Sequence, residues 1–284
     1  MKILVCGDVV GRSGRDAVCG LLPALREALA LDFVVVNGEN AAHGFGITDK
    51  ICAQLYEAGT DVITTGNHVW DQREVIAYIG NDKRLLRPAN FPPGTPGRGW
   101  GVYETRRGKR VLVMNVMCRL FMDALDDPFR SVEEVLGSHR LGANVDAVVI
   151  DVHGEATSEK MALGFVADGR ASLVVGTHTH VPTADAQVLA AGTGYISDLG
   201  MCGDYDSVIG LRKDLAIERF RRKMPGERLV PADGPGTLCA VFVETDDKSG
   251  LARHVAPLRL GPRLAPAWPL DGGVPAAITA RIPT

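Results

Sequence analysis

The sequence contains no cysteine pair at metal-binding spacing, no long apolar run and no excess of charge of one sign. Its six cysteines, Cys6, Cys19, Cys52, Cys118, Cys202 and Cys239, are scattered with no C-x-x-C among them. That removes the usual structural zinc site. Scattered thiols in a chain of 284 residues read as reduced, mostly buried side chains of a cytosolic protein. No segment approaches the roughly 20 apolar residues of a membrane-spanning helix. The N-terminal "MKILVCGDVVG" has a lysine and a short apolar run, but Asp8 interrupts it far short of a signal-peptide core. The expected location is the cytoplasm. With 31 Lys and Arg against 34 Asp and Glu, the net charge of −3 gives no reason to expect bulk binding to nucleic acid or anionic membrane. The "GRSG" that follows Asp8 lacks the G-x-G-x-x-G spacing of a dinucleotide site.

The chain fits one large α/β domain or two small ones, with 46% hydrophobic and 23% charged residues, ordinary values for a soluble globular protein. Its first half alternates β-branched runs with helical patterns. "KILVC" precedes a helix expected over 15–30, "FVVV" one near 48–58, and "DVITT" one near 71–80. Continuous apolar strands between amphipathic helices predict a parallel sheet covered on both faces. A Pro/Gly-rich stretch over 87–101 predicts an irregular loop. Hairpins are expected from "VYET" with "RVLVMNV", from "AQVLAAGTGYIS", and from "GTLCAVFVET" with "ARHVAPLRL". Helices are expected near 131–141 and over 157–168, the latter capped by Thr157 or Ser158. Residues 261–284, rich in Pro, Ala and Gly, read as a loosely packed or disordered tail after a 1–260 domain.

Polar residues cluster where these strands end. "ILVC" leads to Gly7-Asp8, "FVVV" to "NGEN" with Glu39 and Asn40, and "VITT" to "GNH" with Asn67 and His68. "AVVI" leads to "DVH" with His153, and "LVV" to "GTHTH" with His178 and His180. Carboxylate, amide and imidazole coordinate divalent metals, and open α/β sheets bind ligands beyond the carboxyl ends of their strands. In an extended segment residues i and i+2 share a side, so His178 and His180 are expected to face one site. Their separation suits a pair of metals roughly 3.5–4 Å apart, with Glu39 as the candidate carboxylate between them.

The run "GDVVG…GEN…GNH…H…GTHTH" resembles the calcineurin-like metallophosphoesterase superfamily, and within it the YmdB-like branch of 2′,3′-cyclic-nucleotide 2′-phosphodiesterases. The likeness covers about the first 260 residues and includes "NVMCRLFM", "DDPF", "HGEATSEKMA", "THTHVPTAD" and "YDSVIG". Val10 stands where the superfamily usually has a histidine, a departure this branch shares, and Cys118 where a glycine is expected. The resemblance implies a four-layer α/β/β/α sandwich of two mixed sheets flanked by helices. It also implies that Asp8, Glu39, Asn40 and His180 hold one metal, and Glu39, Asn67, His153 and His178 the other, with His68 as the acid.

Phosphodiester hydrolysis needs a nucleophile at neutral pH, charge neutralisation and a proton for the leaving oxygen. The expected reaction opens a 2′,3′-cyclic nucleotide to a 3′-phosphate, by attack of a hydroxide shared between two divalent ions with His68 as proton donor. The choice of bond rests on the resemblance. Mixed ligands suit Fe, Mn or Zn, with iron first by resemblance. Small phosphodiesters, including RNA degradation products, are the expected partners, and self-association into a homo-oligomer is expected. Two other readings stay open: a regulatory protein whose metal site senses a phosphate ligand, and a phosphomonoesterase on the same scaffold. Arg12 and Arg15 fit either a phosphate contact or a structural salt bridge. His43 fits substrate contact or a solvated loop, and residues 201–210 fit a lid or substrate-facing loop whose Asp204 and Asp206 are more often solvated than ligating. Cys6 is a small buried hydrophobe or, beside Asp8, a thiol sensitive to oxidation.

Overall fold

In the computed structural model, which describes residues 1–222 and 226–283, the first half runs β1 (Lys2–Cys6), β2 (Asp8–Val9), α1 (Gly11–Ala28), β3 (Phe33–Asn37), α2 (Asp49–Glu57), β4 (Val62–Thr64) and α3 (Val75–Ile79). It continues with β5 (Trp100–Glu104), β6 (Arg110–Met117), α4 (Pro128–Ser138), β7 (Ala147–His153), α5 (Thr157–Val166) and β8 (Leu173–Thr177). The remainder is β9 (Gln187–Val188), β10 (Gly194–Ile196), β11 (Met201–Cys202), α6 (Lys213–Arg222), β12 (Leu238–Thr245), β13 (Ala252–Leu260) and α7 (Ala276–Thr279).

Two mixed sheets result, ordered β13-β12-β1-β3-β4 and β5-β6-β7-β8-β10-β9. Strands β1, β3 and β4 are parallel to one another, as are β6, β7, β8 and β10. The three expected hairpins form antiparallel pairs at sheet edges. Alternation along the strands builds the layers. Ile3, Val5, Val35 and Val243 point at Val113, Val149, Leu173 and Val175, so the two sheets share one apolar interior. On the outer face of the first sheet, Leu4, Val34 and Phe242 meet Leu21, Leu22 and Leu25 of α1 and Leu55 of α2. On the outer face of the second, Leu112, Val148 and Val174 meet Val132 and Val135 of α4 and Leu163 of α5. Each buried leucine of α1 contributes about 1.5–3 kcal/mol by leaving water. This is the four-layer α/β/β/α sandwich that the resemblance implied.

Several local expectations are corrected. The helix expected near 71–80 shortens to α3, because residues before Val75 turn around His68 and Gln72. Neither Thr157 nor Ser158 caps α5; Ala156 holds that position without a side-chain bond. Glu159 instead accepts from the backbone N–H of Arg119 and Leu120, at 3.1 and 2.9 Å. The described part of the tail is not loose. Ile278 of α7 is 1% exposed in the core beside α1, and Trp268, Leu270 and Val274 pack against the same cluster. Proline and glycine hid these anchors by breaking the periodicity that would have revealed them.

Candidate metal centre

The carboxyl ends of both sheets meet at one place. The first sheet supplies Asp8 after β1, Glu39 and Asn40 after β3, and Asn67 and His68 after β4. The second supplies His153 at the end of β7, and His178 and His180 after β8. A buried polar seam joins the sheets beneath them. Asn37 and Thr64 donate to Asp151 Oδ2 at 3.0 and 2.5 Å, across the interior.

Ligand atoms of Glu39, His153 and His178 lie within 4.8 Å of one another, as do those of Asp8, Glu39 and His180. Glu39 belongs to both groups. Asn67 Oδ1 is 2.9 Å from His153 Nε2, and Asn40 Oδ1 is 3.3 Å from His180 Nε2. The structure therefore brings all seven candidate ligands together. Gly66 makes the crowding feasible: a Cβ there would stand 2.2 Å from the His153 ring and 2.4 Å from Glu39 Oε2.

The route by which His178 and His180 arrive differs from the sequence expectation. They do not extend β8. Their φ values are 98° and 65°, left-handed conformations uncommon for non-glycine residues. Tertiary bonds hold the turn. Asp8 Oδ2 accepts from the His178 N–H at 3.2 Å, Asp198 from the Thr179 N–H at 3.1 Å, and the Tyr205 hydroxyl donates to the His180 carbonyl at 3.2 Å. Asp198 is itself paired with fully buried Lys160 at 2.8 Å. Strain of this kind persists where surrounding contacts over-determine it, often at functional sites.

Neighbouring acceptors fix which nitrogen each ring presents. The Thr177 hydroxyl donates to Asp151 Oδ1 at 2.7 Å, so it accepts from His153 Nδ1–H at 2.9 Å and turns Nε2 towards Glu39. The Ile209 carbonyl takes His180 Nδ1–H at 2.7 Å, turning Nε2 inward. Glu155 lies 3.3 Å from His178 Nε2, so Nδ1 faces the site. Such partners commonly orient metal-binding imidazoles. Asp151, Thr177, Lys160, Asp198 and Glu155 were not singled out in the sequence, although a lone carboxylate inside "AVVIDVH" was a usable signal for Asp151.

The electrostatics suit cations. Burial pushes Asp8 above the ordinary carboxylate range, and its Oδ1 is buried without a hydrogen-bond partner. For Glu39 burial works upward too, but the imidazoles of His153, His68 and His178 outweigh it and hold the carboxyl low. Burial and the neighbouring His153 depress His178 to about 3, leaving it neutral as a ligand requires. An orphaned carboxylate oxygen amid carboxylate, amide and imidazole donors fits a divalent ion.

His68 is half-buried; its backbone N–H donates to Glu39 Oε2 at 3.3 Å, and its Nδ1 pairs with Asp71 at 2.8 Å. Of the open alternatives, Arg12 pairs with Asp16 and Arg15 donates to the Ala41 carbonyl. His43 is exposed on its loop. Asp204 corrects the expectation of a solvated carboxylate: it is buried and accepts from the N–H groups of Asp206 and Gly234. Cys6 is fully buried and its thiol is pushed up to about 12 by burial, which argues against ready oxidation. No helix among the described residues is long and apolar enough to cross a membrane.

Comparison with known proteins places the chain among relatives of the same fold. A family model described as YmdB-like protein matches residues 4–258. The chain is 47% identical over 249 residues to the 2′,3′-cyclic-nucleotide 2′-phosphodiesterase of Bacillus subtilis (strain 168), covering 88% of this chain and 93% of that one. It superposes on the crystal structure of a hypothetical protein from Thermus thermophilus with a TM-score of 0.85 and 42% identity, over 91% of this chain and 98% of that one. A structure described as a novel phosphatase from Mycoplasma pneumoniae gives 0.83 and 32%, over 92% and 93%. The family match runs through all the strand ends described above, and the chain belongs to the YmdB-like family.

Proposed function

We propose that the protein is a metal-dependent phosphodiesterase that opens 2′,3′-cyclic nucleotides to 3′-phosphates. The observation that carries this reading is the position of Glu39 in both groups of converging ligand atoms, the arrangement a shared carboxylate needs. The phosphodiesterase name of the Bacillus relative supports the substrate. Asp8, Asn40 and His180 would hold one divalent ion and Asn67, His153 and His178 the second, with Glu39 common to both. Iron is the first choice, with manganese or zinc next. When bound, such a pair supplies Lewis-acid charge for the phosphoryl oxygens and lowers the pKa of water towards about 7.

The chain's own residues do the rest. Neutral Asn40 and Asn67 fill positions without adding negative charge. As the acid, His68 would carry a proton on both ring nitrogens: Nδ1–H donates to Asp71, 2.8 Å away, and Nε2–H delivers its proton to the departing ribose 2′ oxygen. Digestion of 2′,3′-cyclic AMP tests the reading directly. It predicts 3′-AMP, and a 2′-AMP product overturns the bond assignment. Faster cleavage of bis-p-nitrophenyl phosphate than of p-nitrophenyl phosphate is expected; the reverse order favours a monoesterase.

A further inference from the structure

A cavity of about 430 Å³ lies between the 201–210 loop and the chain that follows β13. Its walls include His180, Tyr205, Ile209, Arg259, Leu264 and Ala265. His180 joins it to the metal centre: Nε2 lies 3.3 Å from Asn40 Oδ1, while Nδ1 is bonded to the carbonyl of Ile209 on the cavity wall. By contrast, a larger cavity of about 530 Å³ beside β5 and α4 has no candidate ligand on its walls.

Apolar side chains make up most of the lining, and the volume lies within the range that small ligands occupy. The charged exception is Arg259 on β13, whose Nε is buried without a hydrogen-bond partner. A guanidinium is a donor-only fork; with Nε enclosed and unmet, at a cost, the side chain's remaining donors are those a cavity ligand could meet. The wall is fastened to the loop, since Arg263 pairs with Asp206 at 3.3 Å. Arg259, Leu264 and Ala265 all lie past residue 258, where the family match ends.

We infer that this cavity is a base-binding subsite. It takes the nucleobase of a nucleotide whose phosphate sits at the metal centre, and Arg259 donates to acceptors on the base edge. The inference rests on the nucleotide reading given above. Flat heteroaromatic rings suit apolar walls better than an inorganic anion does. Guanine presents two neighbouring acceptors, O6 and N7, that match an arginine fork, whereas adenine offers a donor beside N7. The subsite therefore favours guanine nucleotides.

Calorimetry of the metal-loaded protein with 3′-GMP, 3′-AMP, 3′-CMP and inorganic phosphate tests this, using wild type, Arg259→Met and Ala265→Trp. Thermal melts establish that each variant is folded. Kinetics on 2′,3′-cyclic GMP accompany the titrations. Wild type should bind 3′-GMP most tightly, and Arg259→Met should weaken it about tenfold, the cost of one charged hydrogen bond. KM for 2′,3′-cyclic GMP should rise about as much, with kcat within about twofold, as loss of uniform binding requires. Ala265→Trp, which fills the cavity, should weaken every nucleotide more than it weakens phosphate. Unchanged 3′-GMP affinity in both variants overturns the subsite, as does wild type binding 3′-GMP no better than phosphate. Cleavage of cyclic nucleotide that ignores both substitutions removes the subsite and leaves the proposed function standing. Arg259-dependent binding of 3′-GMP without cleavage of any 2′,3′-cyclic nucleotide does the reverse.

Discussion

His153 shows how closely one side chain is governed by its surroundings. Burial pulls its pKa down, but Glu39, Asp8 and Asp151 outweigh that pull and raise it to about 9. Without a metal the ring is therefore protonated at neutral pH, while a ligand must be neutral. Metal uptake near pH 7 should release about one proton from this ring, and affinity should rise about tenfold per pH unit until it levels off near pH 9. Titration in two buffers of different ionisation enthalpy reads the proton directly; no release contradicts the assignment. The partner on Nδ1 matters as well. Thr177→Val keeps the shape but removes the hydroxyl between His153 and Asp151. Metal affinity should drop about 10- to 100-fold, as for other residues that orient a ligand, with the melting temperature of the metal-free protein less affected.

At the scale of elements, strand ends were readable from the sequence because short apolar runs stop abruptly in Gly plus Asp, Asn, Glu or His. The turn that carries His178 and His180 was not. An alternation argument treats it as extended, whereas Asp8, Asp198 and Tyr205 impose left-handed backbone from elements distant in sequence. The buried Lys160–Asp198 pair was hidden for the same reason, since a lysine on an amphipathic helix reads as solvated. Glycine sets the closeness of these turns. Gly66→Ala places a methyl within contact-forbidden distance of the His153 ring and Glu39. The variant should fold, because Gly66 is a loop residue, yet lose about 100-fold or more in turnover, as a displacement of about 1 Å at a catalytic centre does. A variant as active as wild type would show that the two ligands have room to move.

For the molecule as a whole, the sandwich followed from patterning, and the closing segment did not. Ile278 occupies the core beside α1 although its flanking sequence has little periodicity. Ile278→Ala should destabilise the protein by about 2–5 kcal/mol, the range for emptying a buried aliphatic site. Denaturant unfolding measures this, and a change below about 0.5 kcal/mol, the scale of surface substitutions, would return the segment to the status of a loose tail. Arg259 and the residues after β13 line the cavity beside His180, so the proposed base subsite would make the C-terminal stretch part of what the site accepts.

The central claim is that two sheets deliver their strand-end ligands to a pair of cations sharing Glu39. Elemental analysis of protein loaded with iron or manganese and then desalted tests it most directly, with Glu39→Gln measured alongside. The account predicts two ions per wild-type chain and fewer than one in the variant, because both groups lose their common charge. One ion or none in the wild type, or two retained without the Glu39 carboxylate, would contradict it.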